Sequence, residues 1–287
     1  MDALQEDNIL ATFDKLVSEG SIIFGPHETI KQDCAGYPLE FRICPSLTKK
    51  PHVVGATLDA SFDKSEKWGP GSDMYCTDSR LILAKLNHGT HDLALNLYSV
   101  DRPQFMALTT DSYRRQYEPL DTADFAAALE MLRLKDVYVI YNCGEKAGCS
   151  RAHKHLQGLR GPPEAWDVFV SQDEEERGKV PFRFFSHRFV DGFGAVDELV
   201  GVYEGLLKSA REVLGKGESE ACPHNVVLWK DGIVVIPRRA AAVGKASANA
   251  AGMMGSNWVP DQQSVDEWTR LGCRHVLSEL GVPNAQT

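Results

Sequence analysis

Residues 142–157 read Asn-Cys-Gly-Glu-Lys-Ala-Gly-Cys-Ser-Arg-Ala-His-Lys-His-Leu-Gln, a glycine-punctuated loop followed by two histidines and a glutamine at alternate positions. Each histidine offers a nitrogen nucleophile or an acid–base group that changes charge near neutral pH. Gln157 offers an amide that donates and accepts hydrogen bonds but never ionises. Gly144 and Gly148 permit the positive φ that a concave, anion-facing loop requires, and Ser150 adds a hydroxyl donor. In outline this is a nucleotidyl-transfer site. Taken alone, His-x-His also fits satisfied core polarity or two ligands of a zinc site. Gln157 is a poor zinc ligand, however, and the best spare pair, Cys222-Pro223-His224, has weak ligand spacing.

The chemistry depends on a strand. Val137–Tyr141 is β-branched and aromatic and ends at the loop, so it predicts a buried strand, with a second strand starting near Arg151. On a strand His153, His155 and Gln157 share one face, while Lys154 and Leu156 point the other way. A helix would turn His155 away from the other two. Around this pair, apolar spacing at 9, 10, 13 and 16 predicts an N-terminal helix over 4–19, with Gly20 as its C-cap. Strand-like stretches follow at 21–24 and 38–44, then a Gly/Pro/Asp-rich loop at 55–77. A hairpin is expected from 92–100 and 105–110, and a helix over 123–134 capped by Asp121 or Thr122. Residues 171–180 read as an exposed charged loop, 182–190 as strand, 196–214 as a long helix and 224–237 as a hairpin. The Ala/Gly/Ser/Asn-rich stretch 240–255 reads as a substrate-side or surface loop, with helix over 263–280. Hairpins interrupted by helices give an α+β fold with a largely antiparallel sheet flanked by helices.

His153-Lys154-His155-Leu156-Gln157 after a Gly-x-x-x-Gly-x-Ser loop resembles the histidine-triad superfamily, in the branch where glutamine replaces the third histidine. That branch holds the diadenosine tetraphosphate phosphorylases (ATP adenylyltransferases) and the galactose-1-phosphate uridylyltransferases. The uridylyltransferases usually carry proline between the histidines; Lys154 stands there in this chain and favours the fungal phosphorylases. Phe41–Pro51 is similar to the family's phosphate-contacting lysine segment, and His91–Asn96 with Arg102–Phe105 to its nucleoside-binding strand and hairpin. His224–Trp229 and Val234–Arg238 are similar to its last hairpin. Leu97 departs from the family's usual lysine, and the segment after Pro51 is shorter or altered.

The resemblance implies a histidine-triad-like catalytic domain over residues 1–287, with 215–287 as a family-typical C-terminal portion. It implies phosphorolysis of diadenosine tetraphosphate to ATP and ADP through a covalent nucleotidyl-histidine. His155 is then the nucleophile, His153 orients it, and Gln157 donates its amide to the α-phosphate. Because glutamine cannot serve as a general acid, the leaving group must be a stable anion, as a polyphosphate is. Lys50 is expected on phosphate, Asn96 on ribose, and Asn142, Gly144, Gly148 and Ser150 on phosphate and ribose. The alternatives are a hydrolase, another nucleotidyltransferase of the superfamily, or a noncatalytic nucleotide sensor. No permanently bound cofactor is expected; a divalent cation such as magnesium would arrive with the substrate phosphates.

The 287 residues are 43% hydrophobic, ample for a buried core, and carry a net charge of −9 with a pI near 5.5. That charge opposes broad binding to nucleic acid or to an anionic membrane. An anionic substrate therefore needs a local positive pocket, for which Lys49, Lys50, Lys146, Arg151 and Lys154 are the candidates, with solvation as the alternative for Lys154 because it alternates away from the histidine face. The seven cysteines form no Cys-x-x-Cys pair, and an odd count argues against a disulfide framework. Cys143 and Cys149 read as packing residues. With no apolar run of about 18 residues and no basic leader, the expected location is cytoplasmic, or also nuclear, for a monomer or small homo-oligomer.

Overall fold

Apolar residues occupy both faces of residues 137–143, 224–229 and 232–237, a pattern that demands cover on two sides of a sheet. The computed structural model describes residues 6–49 and 67–284. In chain order the strands are β1 (Glu28–Cys34), β2 (Tyr37–Ile43), β3 (Ile82–Leu86), β4 (His91–Leu95), β5 (Phe105–Thr109), β6 (Val137–Cys143) and β7 (His155–Arg160). They continue as β8 (Phe185–Arg188), β9 (His224–Trp229), β10 (Gly232–Pro237), β11 (Ala242–Val243), β12 (Ala246–Ser247) and β13 (Ser256–Val259). The helices are α1 (Glu6–Ser18), α2 (Thr122–Met131), α3 (Trp166–Val170), α4 (Glu174–Gly178), α5 (Val196–Leu214), α6 (Ala250–Met253), α7 (Gln262–Leu271) and α8 (Cys273–Leu280).

Eight strands form one antiparallel sheet in the order β3-β4-β5-β7-β6-β9-β10-β8. Side chains alternate between two cores. Val137, Val139 and Tyr141 of β6 pack with Phe13 of α1, Phe125 of α2 and Tyr203 of α5. Tyr138 and Ile140 face the other way, into a core with Phe41 of β2, Phe169 of α3 and Trp268 of α7. A three-stranded sheet, β1-β2-β13, belongs to that second layer, and its β2–β13 pairing is parallel. Also on the second face, Trp68 and Met74 cover Ala94, Met106 and Leu108 of β4 and β5. Between these two covers, His155 and Gln157 of β7 line a recess that opens on this face, the front of the sheet.

The antiparallel α+β expectation holds, with element ends shifted by a few residues. The predicted cap is present: Asp121 accepts from the N–H groups of Ala123 and Asp124, and the Asp124 side chain accepts from the Asp121 N–H in return, a capping box. Three expectations are corrected. Residues 171–180 contain α4, capped by Asp173, rather than loop alone. Residues 21–24 form a single bridge, Ile23 to Tyr98, and no strand. The 263–280 helix is two, broken at Gly272 where φ is 84°. Within 55–77, residues 67–77 are packed down on the sheet, while 55–66 lie outside the described residues. Among the described residues no helix is long and apolar enough to cross a membrane.

Candidate active site

The strand carrying the motif starts later than its sequence suggests. β7 begins at His155, and the stretch before it is held by other means: His153 bridges Arg115, and the Asp73 carboxylate accepts from the N–H groups of Ala152 (2.7 Å) and His153 (3.0 Å). Gln116 completes the clamp. Its side-chain carbonyl oxygen takes the His155 N–H at 2.7 Å, and its amide donates to the carbonyls of His155 (3.0 Å) and Asn142 (3.1 Å). One side chain thus ties the motif to the end of β6.

Hydrogen bonds fix the two histidines in opposite tautomers. His153 is fully buried; its Nε2 meets the Thr109 carbonyl at 2.9 Å and must donate there, so Nδ1 accepts from the Ser72 hydroxyl at 2.8 Å. Burial, partly offset by the Thr109 carbonyl, holds this ring below the usual histidine range. His155 does the reverse. Its Nδ1 lies 2.8 Å from the His153 carbonyl and must donate, which leaves the lone pair of the neutral ring on Nε2. The link between the histidines therefore runs through the backbone of His153, not through its ring.

His155 and Gln157 line one recess of about 60 Å³ with Asn96, Met106, Ser150 and Arg151. A larger cleft, about 350 Å³, lies beyond Ser150 and is bounded by Gly148, Ser247, Asn249, Asn257 and Trp258. Ser150 belongs to both walls. Asn96 is positioned by accepting the Tyr98 N–H at 3.0 Å. Segment 240–255 lines part of this larger cleft, and it is not loop throughout, since it contains β11, β12 and α6 with Asn249 as the α6 cap.

Other predicted residues are placed differently. Asn142 lines neither cavity: it is buried, and its side-chain oxygen accepts from Asn225 (2.9 Å) and the Ala250 N–H (2.8 Å). The N–H groups of Gly144 and Gly148 bond the carbonyls of Gln116 (2.9 Å) and Glu145 (2.8 Å), so these glycines shape a tight turn. At Gly148, where φ is 86°, a Cβ would stand 2.9 Å from the Ala248 carbonyl, which explains glycine where the loop meets the cleft wall. Lys50 lies outside the described residues. Lys154 is corrected outright: it is buried on the back face, where its ammonium bonds Asp124 at 2.6 Å and the Pro119 carbonyl at 2.7 Å.

Asp124 also takes a bond from His91 Nε2 at 3.0 Å. Burial opposes its charge, yet the His91 bond and the attraction and bond of Lys154 hold its carboxyl down at about 2. Behind the cleft, the buried Arg238 guanidinium donates to Asn225 and to the carbonyls of Ala147, Ala240, Ala248 and Leu280.

The competing chemistries find less support. His224 is a satisfied core histidine, with Nδ1 on the Cys222 carbonyl at 2.7 Å and Nε2 facing the Tyr203 hydroxyl at 2.8 Å. Burial pushes the Cys143 thiol up to about 12 and that of Cys149 up to about 11, so neither is a ready thiolate. Among the described residues no three His, Cys, Asp or Glu side chains come together in a way that could hold a metal ion.

Two family descriptions match the chain in succession: the Ap4A phosphorylase N-terminal domain over residues 26–166 and the ATP adenylyltransferase C-terminal domain over 178–283. From Saccharomyces cerevisiae, diadenosine 5',5'''-P1,P4-tetraphosphate phosphorylase 2 is 27% identical over 261 residues, spanning 78% of this chain and 77% of its own. Protein APA1 of the same yeast is 26% identical over 225 residues, spanning 68% and 70%. The crystal structure of yeast Ap4A phosphorylase Apa2 superposes over 100% of both chains with a TM-score of 0.79 at 22% identity, and its complex with Ap4A does so at 0.77.

Proposed function

We propose, for a chain that belongs to the Ap4A phosphorylase family, the phosphorolysis of diadenosine tetraphosphate to ATP and ADP by adenylyl transfer through His155. The observation that carries this reading is the His155 Nδ1–H bond to the His153 carbonyl, 2.8 Å, which leaves Nε2 as the nucleophilic nitrogen beside Gln157. Nε2 attacks the α-phosphorus, the N–P bond forms, and the bond to the bridging oxygen breaks to release ATP. The adenylyl-imidazole keeps its Nδ1 proton, and the His153 carbonyl accommodates the resulting positive charge. Inorganic phosphate then attacks the same phosphorus, forming ADP and restoring the neutral ring.

Gln157 supplies an N–H to the α-phosphate without offering a proton to the leaving group, which ATP does not need. In this scheme the α-phosphate is met at the recess of His155, and the rest of the polyphosphate passes Ser150 into the larger cleft. Asn96 serves the ribose and Lys50 the phosphates in this scheme. Magnesium, where used, is carried by the polyphosphate. Incubation of the protein with dinucleoside polyphosphates, with and without inorganic phosphate, tests the reading. ATP and ADP in equal amounts, formed only when phosphate is present, are expected. Release of AMP irrespective of phosphate would indicate a hydrolase, and binding without turnover a sensor.

A further inference from the structure

Gln157 can help a phosphate only if its NH₂, not its carbonyl oxygen, faces the recess, and an amide end is free to flip unless something specifies it. Behind Gln157 stands Gln104, whose residue is 4% exposed. The Val100 backbone N–H meets Gln104 Oε1 at 3.0 Å. A backbone N–H can only donate, so that atom of Gln104 must be the oxygen. The other end of Gln104 is therefore NH₂, and it donates to Gln157 Oε1 at 2.9 Å. The oxygen of Gln157 is thus engaged with Gln104, and its own NH₂ is the end left to meet a ligand. Gln104 itself is held at its backbone, where its N–H donates to Ser99 Oγ at 3.2 Å and its carbonyl accepts the Asn96 N–H at 3.0 Å.

We infer that Gln104 is a positioning residue that sets the polarity of Gln157: a one-way relay, Val100 N–H to Gln104 to Gln157, presents an N–H donor to the transferred phosphoryl group. The inference rests on the adenylyl-transfer reading for its kinetic consequence, but the relay itself belongs to the ligand-free protein. The likeness of residues 102–105 to a nucleoside-binding hairpin gives Gln104 no such task.

The informative substitution is Gln104→Glu. A glutamate at this position keeps the shape and still accepts from Val100, but its second oxygen is an acceptor above its pKa, so Gln157 must turn its NH₂ toward it and show the phosphate an oxygen. Below its pKa the carboxylic acid regains an O–H donor and restores the original order. Phosphorolysis of diadenosine tetraphosphate by the full-length variant is expected to show kcat reduced on the order of 10²-fold at neutral pH, with a much smaller change in KM. The ratio of variant to wild-type kcat should then rise as pH falls, a recovery that Gln104→Met, which cannot donate at any pH, should not show. A ratio independent of pH, or wild-type rates at neutral pH, would overturn the inference. A ligand-free measurement separates it from the functional reading: the Gln157 side-chain amide resonances, assigned by their loss in Gln157→Glu, should titrate with the introduced carboxyl group in the Gln104→Glu variant. Absence of that titration contradicts the relay even if the wild type proves inactive, whereas titration with an inactive wild type sustains the relay and rejects the activity.

Discussion

The two faces of residues 153–157 are built on opposite electrostatic plans. At the back, the Lys154–Asp124 ion pair is fully buried at 2.6 Å, and His91 Nε2 bonds the same carboxylate at 3.0 Å. At the front, His155 and Gln157 are held by a carbonyl and an amide, both neutral. The contrast separates anchoring from chemistry. A buried ion pair is costly to form but rigid once its bonds are satisfied, and it tolerates no loss of one partner. The imidazole and the amide bring no fixed charge of their own, their bonds specify which atoms donate, and the fixed charge of the recess they line is that of Arg151.

Removing the front nucleophile should produce the largest effect. His155→Ala is expected to lower phosphorolysis by on the order of 10³-fold or more while nucleotide affinity changes little, because the imidazole makes a bond and the walls make the binding. Isothermal titration with AMP beside turnover assays checks the split. Comparable loss of binding would show that the front face is not specialised for chemistry.

At the back the expected injury is to the fold. Lys154→Met leaves the Asp124 carboxylate buried with His91 as its one remaining side-chain donor among the described residues, at a cost of about 3–5 kcal/mol in chemical denaturation. Pairing it with Asp124→Asn should recover much of that loss. If Lys154→Met keeps full stability and loses only activity, the division between the faces fails.

Much of this site was legible in residue order, and what was not has a common physical cause. Alternation of His153, His155 and Gln157 follows from strand geometry, so their placement opposite Lys154 was readable, as was the Asp121 cap of α2. What lies behind a strand is not. Lys154 read as a pocket lysine or a solvated one because nothing in its own neighbourhood reveals that α2, 30 residues earlier, brings Asp124 against it. Ser72, Asp73 and Gln116 were missed for a similar reason: each acts through hydrogen bonds to backbone or ring atoms 26 to 81 residues away, which leave no periodic pattern. Asn142 shows the converse, a polar residue in the right stretch whose partners, Asn225 and Ala250, draw it into the core.

Acid should separate the two faces more gently. Asp124 is held at about 2, below the ordinary aspartate range, so the folded state binds its proton less readily than the unfolded chain. Its stabilising contribution is complete above pH about 4 and is lost as pH falls toward 2, about 2 kcal/mol in all. Denaturation midpoints across that window should show the loss in the wild type and a smaller one in Asp124→Asn. Equal slopes in the two proteins would mean that Asp124 is not held in its charged form by the back-face network.

If His155 is adenylylated in turnover, the stereochemical course at the α-phosphorus must record it. Each in-line displacement inverts phosphorus, so two successive transfers, to Nε2 of His155 and then to phosphate, restore the original configuration. With a diadenosine tetraphosphate carrying a chiral α-phosphorothioate, net retention is expected in the ADP analogue formed. Net inversion would require direct attack by phosphate and would contradict a covalent role for His155.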